Sequence, residues 1–125
     1  MGTDERLFAV RGAVQAERND RDSILAATRE VVSELLTRNS LSPEQMVAVI
    51  FTCTDDLNAE FPAVAARELG LDQVPLLCTR ELPVPGAMER VIRVLAQFYA
   101  PSEHKPAHAY IGAAQALRAD LQSAQ

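Results

Sequence analysis

The run Arg90–Tyr99, RVIRVLAQFY, constrains this chain more than any other segment. Ile92, Val94, Ala96 and Phe98 fall on one side of it, and Val91, Arg93, Leu95, Gln97 and Tyr99 on the other, the two-residue period of a β-strand. A helical reading of Met88–Ala96 is also open, but the β-branched content favours the strand. Arg93 is the exception in an otherwise apolar run. A guanidinium held against an apolar sheet is costly unless something anionic meets it. The chain must therefore either pair Arg93 with one of its own carboxylates or present it to an anionic ligand.

The other segments predict a mixed α/β arrangement. Leu7–Ala16 reads as a strand whose core face is Phe8, Val10, Gly12, Val14 and Ala16, which puts Arg11 on the opposite face. Asp20–Arg38 is the clearest helix, with Ile24, Leu25, Thr28, Val31, Val32, Leu35 and Leu36 in one stripe. Asn19 or Asp20 can cap its start and Asn39 can end it. Ser42–Gln45 has the form of a capping box around a single turn. Met46–Thr54, MVAVIFTCT, is apolar on both faces and predicts a central strand covered on both sides. A short helix follows from Phe61-Pro62 to Gly70. Val74–Thr79 predicts a strand that Pro75 confines to an edge or restricts at its start. Leu82–Gly86 is a rigid connection, Ala107–Ile111 a last strand, and the segment from Ala113 a weak helix or turn.

At 125 residues, 48% of them apolar, the chain predicts one domain over residues 1–125 with an ample core. About the first five residues and the tail 119–125 read as flexible. The net charge of −5 argues against a general nucleic-acid binder. Cys53 and Cys78 form no C-x-x-C pair and no His cluster accompanies them, so neither a zinc site nor any other metal or cofactor is expected. No signal peptide and no membrane-spanning run is read, so a soluble cytoplasmic protein without membrane partners is expected. Eleven of the twelve basic residues are Arg, so an arginine counts as a signal only where its position is odd.

Arg11 and Arg93 satisfy that condition. Either could join a structural ion pair or grip a carboxylate with its planar fork. Glu81, just past a strand, could pair locally or accept a hydrogen bond from a ligand hydroxyl. Tyr110 shares a face with His108 and could be half-buried packing or a hydroxyl reaching an anion. Cys78 reads as a small core residue more readily than as a nucleophile, because His104 and His108 lie near a remote loop and no base is at hand. Phe61 could be core or pocket wall. Asp55 and Asp56 serve a turn.

Four segments in order carry a family resemblance: VRGA with Glu17-Arg18, TxDLxAxFPAxAxREL over Thr54–Leu69, VPLLCTRELPVPGAMERVIRVL over Val74–Leu95, and HAYIGAAQALRADL over His108–Leu121. Together they resemble the small monofunctional bacterial chorismate mutases of the trimeric α/β class. The resemblance implies a mixed sheet with helices on its outer face and a homotrimeric pseudo-α/β-barrel. It further implies active sites between subunits and the Claisen rearrangement of chorismate to prephenate without a cofactor.

Carried over by the resemblance, Arg93 contacts the ether oxygen and a substrate carboxylate. Glu81 binds the ring hydroxyl, Cys78 lies beside it, and Arg11 with Tyr110 holds carboxylate. Phe61, Ala63, Leu76 and Leu77 are implied as pocket wall, with Thr79, Arg80 and Leu117 nearby, and Arg67 and Arg118 as flanking cations. Val64 and Leu77 depart from the family pattern, which has lysine and threonine there. Two competing readings are a small enamine/imine deaminase on a similar trimeric fold and a non-catalytic trimer that binds an anionic aromatic metabolite.

Overall fold

A computed structural model describes residues 4–118. Its five strands are β1 (Glu5–Gln15), β2 (Met46–Cys53), β3 (Leu76–Arg80), β4 (Val91–Pro101) and β5 (Ala109–Tyr110). They form one sheet in the order β3-β2-β4-β1-β5. The β1–β4 and β2–β4 pairings are antiparallel, while β2–β3 and β1–β5 are parallel, so the sheet is mixed. The alternating run that contains Arg93 is thus the middle strand, and the helical alternative for it falls away. β3 is an edge strand that begins just after Pro75, as a residue without an N–H donor dictates.

Helix α1 (Arg21–Arg38) starts at Asp20, whose carboxylate accepts the Ser23 N–H at 2.7 Å. Its buried stripe of Ile24, Ala27, Val31, Val32 and Leu35 packs on the sheet. Gly12 makes that approach possible: a Cβ there would lie 2.8 Å from Val31 Cγ2. Helix α2 (Ala63–Ala66) widens into a π turn over Arg67–Leu71, where Gly70, at φ +98°, takes the left-handed conformation that releases the chain. Phe51, Phe98, Ile92 and Leu71 are fully buried between the helices and the sheet. Each such side chain contributes about 1.5–3 kcal/mol of burial.

Helices α1 and α2 cover only one face of the sheet; the other carries the short turn Gly112–Ala114, which packs on Ala13 and Tyr110 at the β1–β5 edge. β2 shows the consequence, since Val49, Phe51 and Cys53 are buried while Ala48, Ile50 and Thr52 remain half open. The expectation that β2 is covered on both sides is therefore corrected for the single chain. Leu7, Leu77 and Tyr99 are exposed on the face away from α1 and α2. Local boundaries also shift: β1 reaches back to Glu5, which pairs with Pro101, and β5 shrinks to two residues. Residues 1–3 of the expected leader and the tail 119–125 lie outside the described residues. No described helix is long and apolar enough to cross a membrane.

Candidate active site

Strand register builds the site. Thr79, Thr52, Arg93, Ala13 and Tyr110 are successive partners across β3, β2, β4, β1 and β5. They form one row on the face away from α1 and α2. In the neighbouring row Arg11 is the partner of Leu95, which itself pairs with Ile50. Arg11 and Arg93 are thus diagonal neighbours on adjacent antiparallel strands, a spacing of about 7–8 Å within reach of long side chains. Both line a cavity of about 220 Å³, together with Ile50, Thr52, Glu81, Leu95 and Tyr110. Ala13, the small residue between Arg93 and Tyr110 in their row, is fully buried beneath Tyr110 and Ala114.

Arg93 meets its carboxylate. Its Nε donates to Glu81 Oε2 at 2.6 Å and its Nη2 to Oε1 at 2.8 Å, a side-on fork. Thr52 Oγ1 also donates to Glu81 Oε2. The count of donors and acceptors is informative. Two of the five guanidinium N–H groups are used, so Nη1 and one N–H of Nη2 remain along the end-on edge. Three acceptor positions of Glu81 are filled, and one on Oε1 is left for a hydroxyl. The ion-pair and ligand readings of Arg93 are therefore compatible on different edges of one group.

The Arg93 hydrogen bonds hold the Glu81 carboxyl below its ordinary range; burial opposes this and Thr52 assists it. Reciprocally, Glu81 raises Arg93 above the ordinary guanidinium value, with burial acting against it. Both groups are charged at neutral pH, so Glu81 accepts hydrogen bonds and has no proton to give. Arg11 makes no ion pair among the described residues, and its charge is left over for an anion. His108 accepts the Arg11 backbone N–H at Nδ1, 3.0 Å away. Burial, then the positive charges of Arg11 and Arg118, keep this imidazole below the usual histidine range. The cavity is therefore electropositive on the Arg11 side.

The remaining candidates separate by strand parity. Consecutive strand side chains alternate, so Leu76, Leu77, Cys78 and Thr79 cannot all face one cavity. Leu77 and Thr79 share the open face with Ile50 and Thr52. Leu76 and Cys78 instead pack against the core beside Val49 and Phe51, so the Cys78 thiol does not line the cavity of its own chain. Arg80 is turned away and pairs with Asp55 at 2.9 Å. Leu117 packs on Ala13 and Tyr110 and borders an adjoining apolar alcove that shares Glu81 and Arg93.

Phe61, Ala63 and Arg67 belong to the α2 region and do not line this cavity. Phe61 is 65% exposed, Ala63 is core and Arg67 is exposed. Among the described residues no group of three or more His, Cys, Asp or Glu is arranged to hold a metal ion. Burial pushes the Cys53 thiol up to about 12, which makes it a poor nucleophile.

Sequence reasoning missed Thr52 and His108. Thr52 was legible in principle as a polar residue on one face of an apolar strand. His108 is excluded by the sequence only as a base for Cys78, and its contact with Arg11, 97 positions away, is not visible in one dimension.

A family model described as chorismate mutase type I matches residues 7–121. The chain belongs to this family. It is 47% identical over 118 residues to "Chorismate mutase AroH" of Thermus thermophilus, covering 93% of this chain and 97% of the relative. A second chorismate mutase AroH, from Bacillus subtilis (strain 168), is 36% identical over 115 residues and 90% of each chain. A solved chorismate mutase from Clostridium thermocellum superposes with a TM-score of 0.78 at 35% identity, covering 87% of this chain and 98% of its own. These matches span both site strands, β1 and β4, and they lend the imine deaminase reading no support.

Proposed function

We propose that the cavity over Arg11 and Arg93 is where this chorismate mutase converts chorismate to prephenate, by holding and polarising its substrate. The observation that carries this reading is the convergence of Arg11, Arg93, Tyr110 and Glu81 on one cavity with a free guanidinium edge. The rearrangement breaks a C–O bond as a C–C bond forms within one molecule, so no external nucleophile or acid is required. Its two demands are folding the side chain over the ring and stabilising the oxygen that is released.

Orientation falls to Arg11 and Tyr110 at a carboxylate and to Glu81 at the ring hydroxyl. Fixing reactive groups in a near-attack geometry removes much of the entropic barrier. Stabilisation falls to the end-on edge of Arg93, directed at the ether oxygen as negative charge builds there. Glu81 and Thr52 hold that guanidinium in place, so little reorganisation accompanies bond breaking. One preorganised donor of this kind is worth about 2.7–4 kcal/mol, or a hundred- to a thousandfold in rate. The core placement of Cys78 leaves its thiol outside this scheme.

We further infer that three copies assemble and that a neighbour completes each cavity. The support is the exposed apolar side chains Leu7, Leu77 and Tyr99 on the uncovered sheet face and the exposed Phe61. Phe61 and Arg67 would then serve a cavity other than that of their own chain. Arg118, close enough to His108 for its charge to act on the imidazole, and Leu117 would border the entrance. The deciding experiment adds purified protein to chorismate and follows loss of its absorbance with identification of prephenate. Binding without conversion would favour the non-catalytic alternative.

A further inference from the structure

We propose that His108 is a positioning residue for Arg11, its neutral imidazole setting the backbone from which the Arg11 guanidinium reaches substrate. The inference rests on the reading of Arg11 as a carboxylate-binding residue. β5 pairs with β1 only at Gly12–Ala109 and Ala13–Tyr110. At Arg11 the ladder has not begun, so its N–H has no strand carbonyl to meet. His108 Nδ1 occupies that position at 3.0 Å and does what a ladder carbonyl would do. The contact is partly buried, where an unmet N–H is costly.

His108 is itself anchored from the far side of the sheet. Arg38, at the end of α1, donates Nη1 to the His108 carbonyl at 2.8 Å while its Nε is held by Glu34 at 2.8 Å. The adjacent Asn39 takes both backbone groups of Ala107, donating to its carbonyl at 2.8 Å and accepting its N–H at 2.9 Å. The end of α1 thereby fixes Ala107 and His108, and His108 fixes Arg11. The same anchor sets Tyr110 two residues on. A two-residue strand could not do this through its own ladder.

The bond also makes Arg11 responsive to protonation. Imidazolium has two N–H donors and no acceptor, so a second proton turns the contact into opposed donors. The charged groups facing the ring are Arg11 on β1 and Arg118 beyond β5, both cationic, and they favour the neutral form together with burial. Arg38 addresses the backbone carbonyl and is neutralised by Glu34. Among the described residues no carboxylate pairs with the ring. The acceptor is thus present at neutral pH and is lost as pH falls through the depressed His108 value.

The test is KM and kcat for chorismate across about pH 5–8, where an ordinary histidine titrates. In the wild type, KM rises on the acid side with kcat changing little. His108→Ala raises KM at neutral pH by about three- to tenfold, the range for a lost hydrogen bond. His108→Asn, whose Oδ1 can occupy the Nδ1 position, restores KM and removes the acid-side rise. Wild-type KM in His108→Ala, or an acid-side rise that persists in His108→Asn, overturns the proposal. Because the wild-type profile needs no variant, a misfolded alanine variant does not spare the proposal from refutation. Arg11→Ala serves as the control: an unchanged KM there sinks the role of Arg11 and this inference with it. A raised KM for Arg11→Ala beside a normal His108→Ala sinks the positioning role alone.

Discussion

Replacing Arg93 by lysine keeps the charge and removes the fork, which isolates what the guanidinium contributes. Arg93 commits Nε and Nη2 to Glu81 and leaves its end-on edge free, the edge that the proposed mechanism directs at the ether oxygen and a carboxylate. An ammonium has three N–H groups around one atom, and one used on Glu81 leaves no planar edge for the substrate. One or two charge-assisted bonds at the departing oxygen are therefore lost or misdirected. At about 1.5–3 kcal/mol each, reduced for the partial exposure of the site, this predicts a loss of about 2–4 kcal/mol in transition-state stabilisation. The corresponding fall in kcat is roughly 30- to 1000-fold.

Initial rates of chorismate consumption at saturating substrate measure this fall directly. A thermal melt guards against misfolding, and the melt should change little. With Arg93 44% and Glu81 16% exposed, the pair lies near solvent, where an ion pair contributes about 1 kcal/mol or less. A lysine variant that turns over at near the wild-type rate would refute the reasoning, because a point charge would then suffice. Citrulline at position 93, planar but uncharged, separates the two contributions. A smaller loss than lysine produces would assign the effect to geometry rather than charge.

Thr52→Val removes one of the donors that hold Glu81 while keeping the strand packed, and kcat/KM should fall by about tenfold, in line with a lost bond to a charged group. Unchanged kinetics would show that Arg93 alone positions the carboxylate. Gly12→Ala would place a Cβ 2.8 Å from Val31 Cγ2 and 3.1 Å from both Leu35 Cδ1 and the Ala109 carbonyl. Urea melts should register the resulting overpacking as about 1–3 kcal/mol of lost stability. Co-expressing Arg93→Ala chains with Arg67→Ala chains tests the shared cavity, since random cyclic trimers would carry about one intact site in four. Activity no higher than in either parent would contradict a shared site. Glu81 has a lowered folded pKa, so its contribution to stability is complete above the ordinary carboxylate range and disappears as pH falls through the folded value. The melting difference between wild type and Glu81→Gln should accordingly be constant near neutrality and vanish in acid.

Much of this protein was legible in one dimension. Alternation in Arg90–Tyr99 and Leu7–Ala16 marks two strands and puts Arg93 and Arg11 on their less apolar faces, because a strand has only two faces to offer. The stripe from Ile24 to Leu36 marks α1, Pro75 marks an edge, and the ordered segments mark the family. Parity within β3 was also available, and it would have separated Leu77 and Thr79 from Leu76 and Cys78.

Register was not legible. Thr52, Arg93 and Tyr110 share a row because three separate strand pairings align, and each pairing is decided by which long-range contacts bury the most apolar surface. The same packing brings His108 to Arg11 across 97 positions of chain, and Glu81 to Arg93 across 12. Local periodicity determined which residues turn away from the core. Only the assembled sheet decided which of them meet, since a hydrogen-bond ladder is a relation between strands and is written in neither one alone.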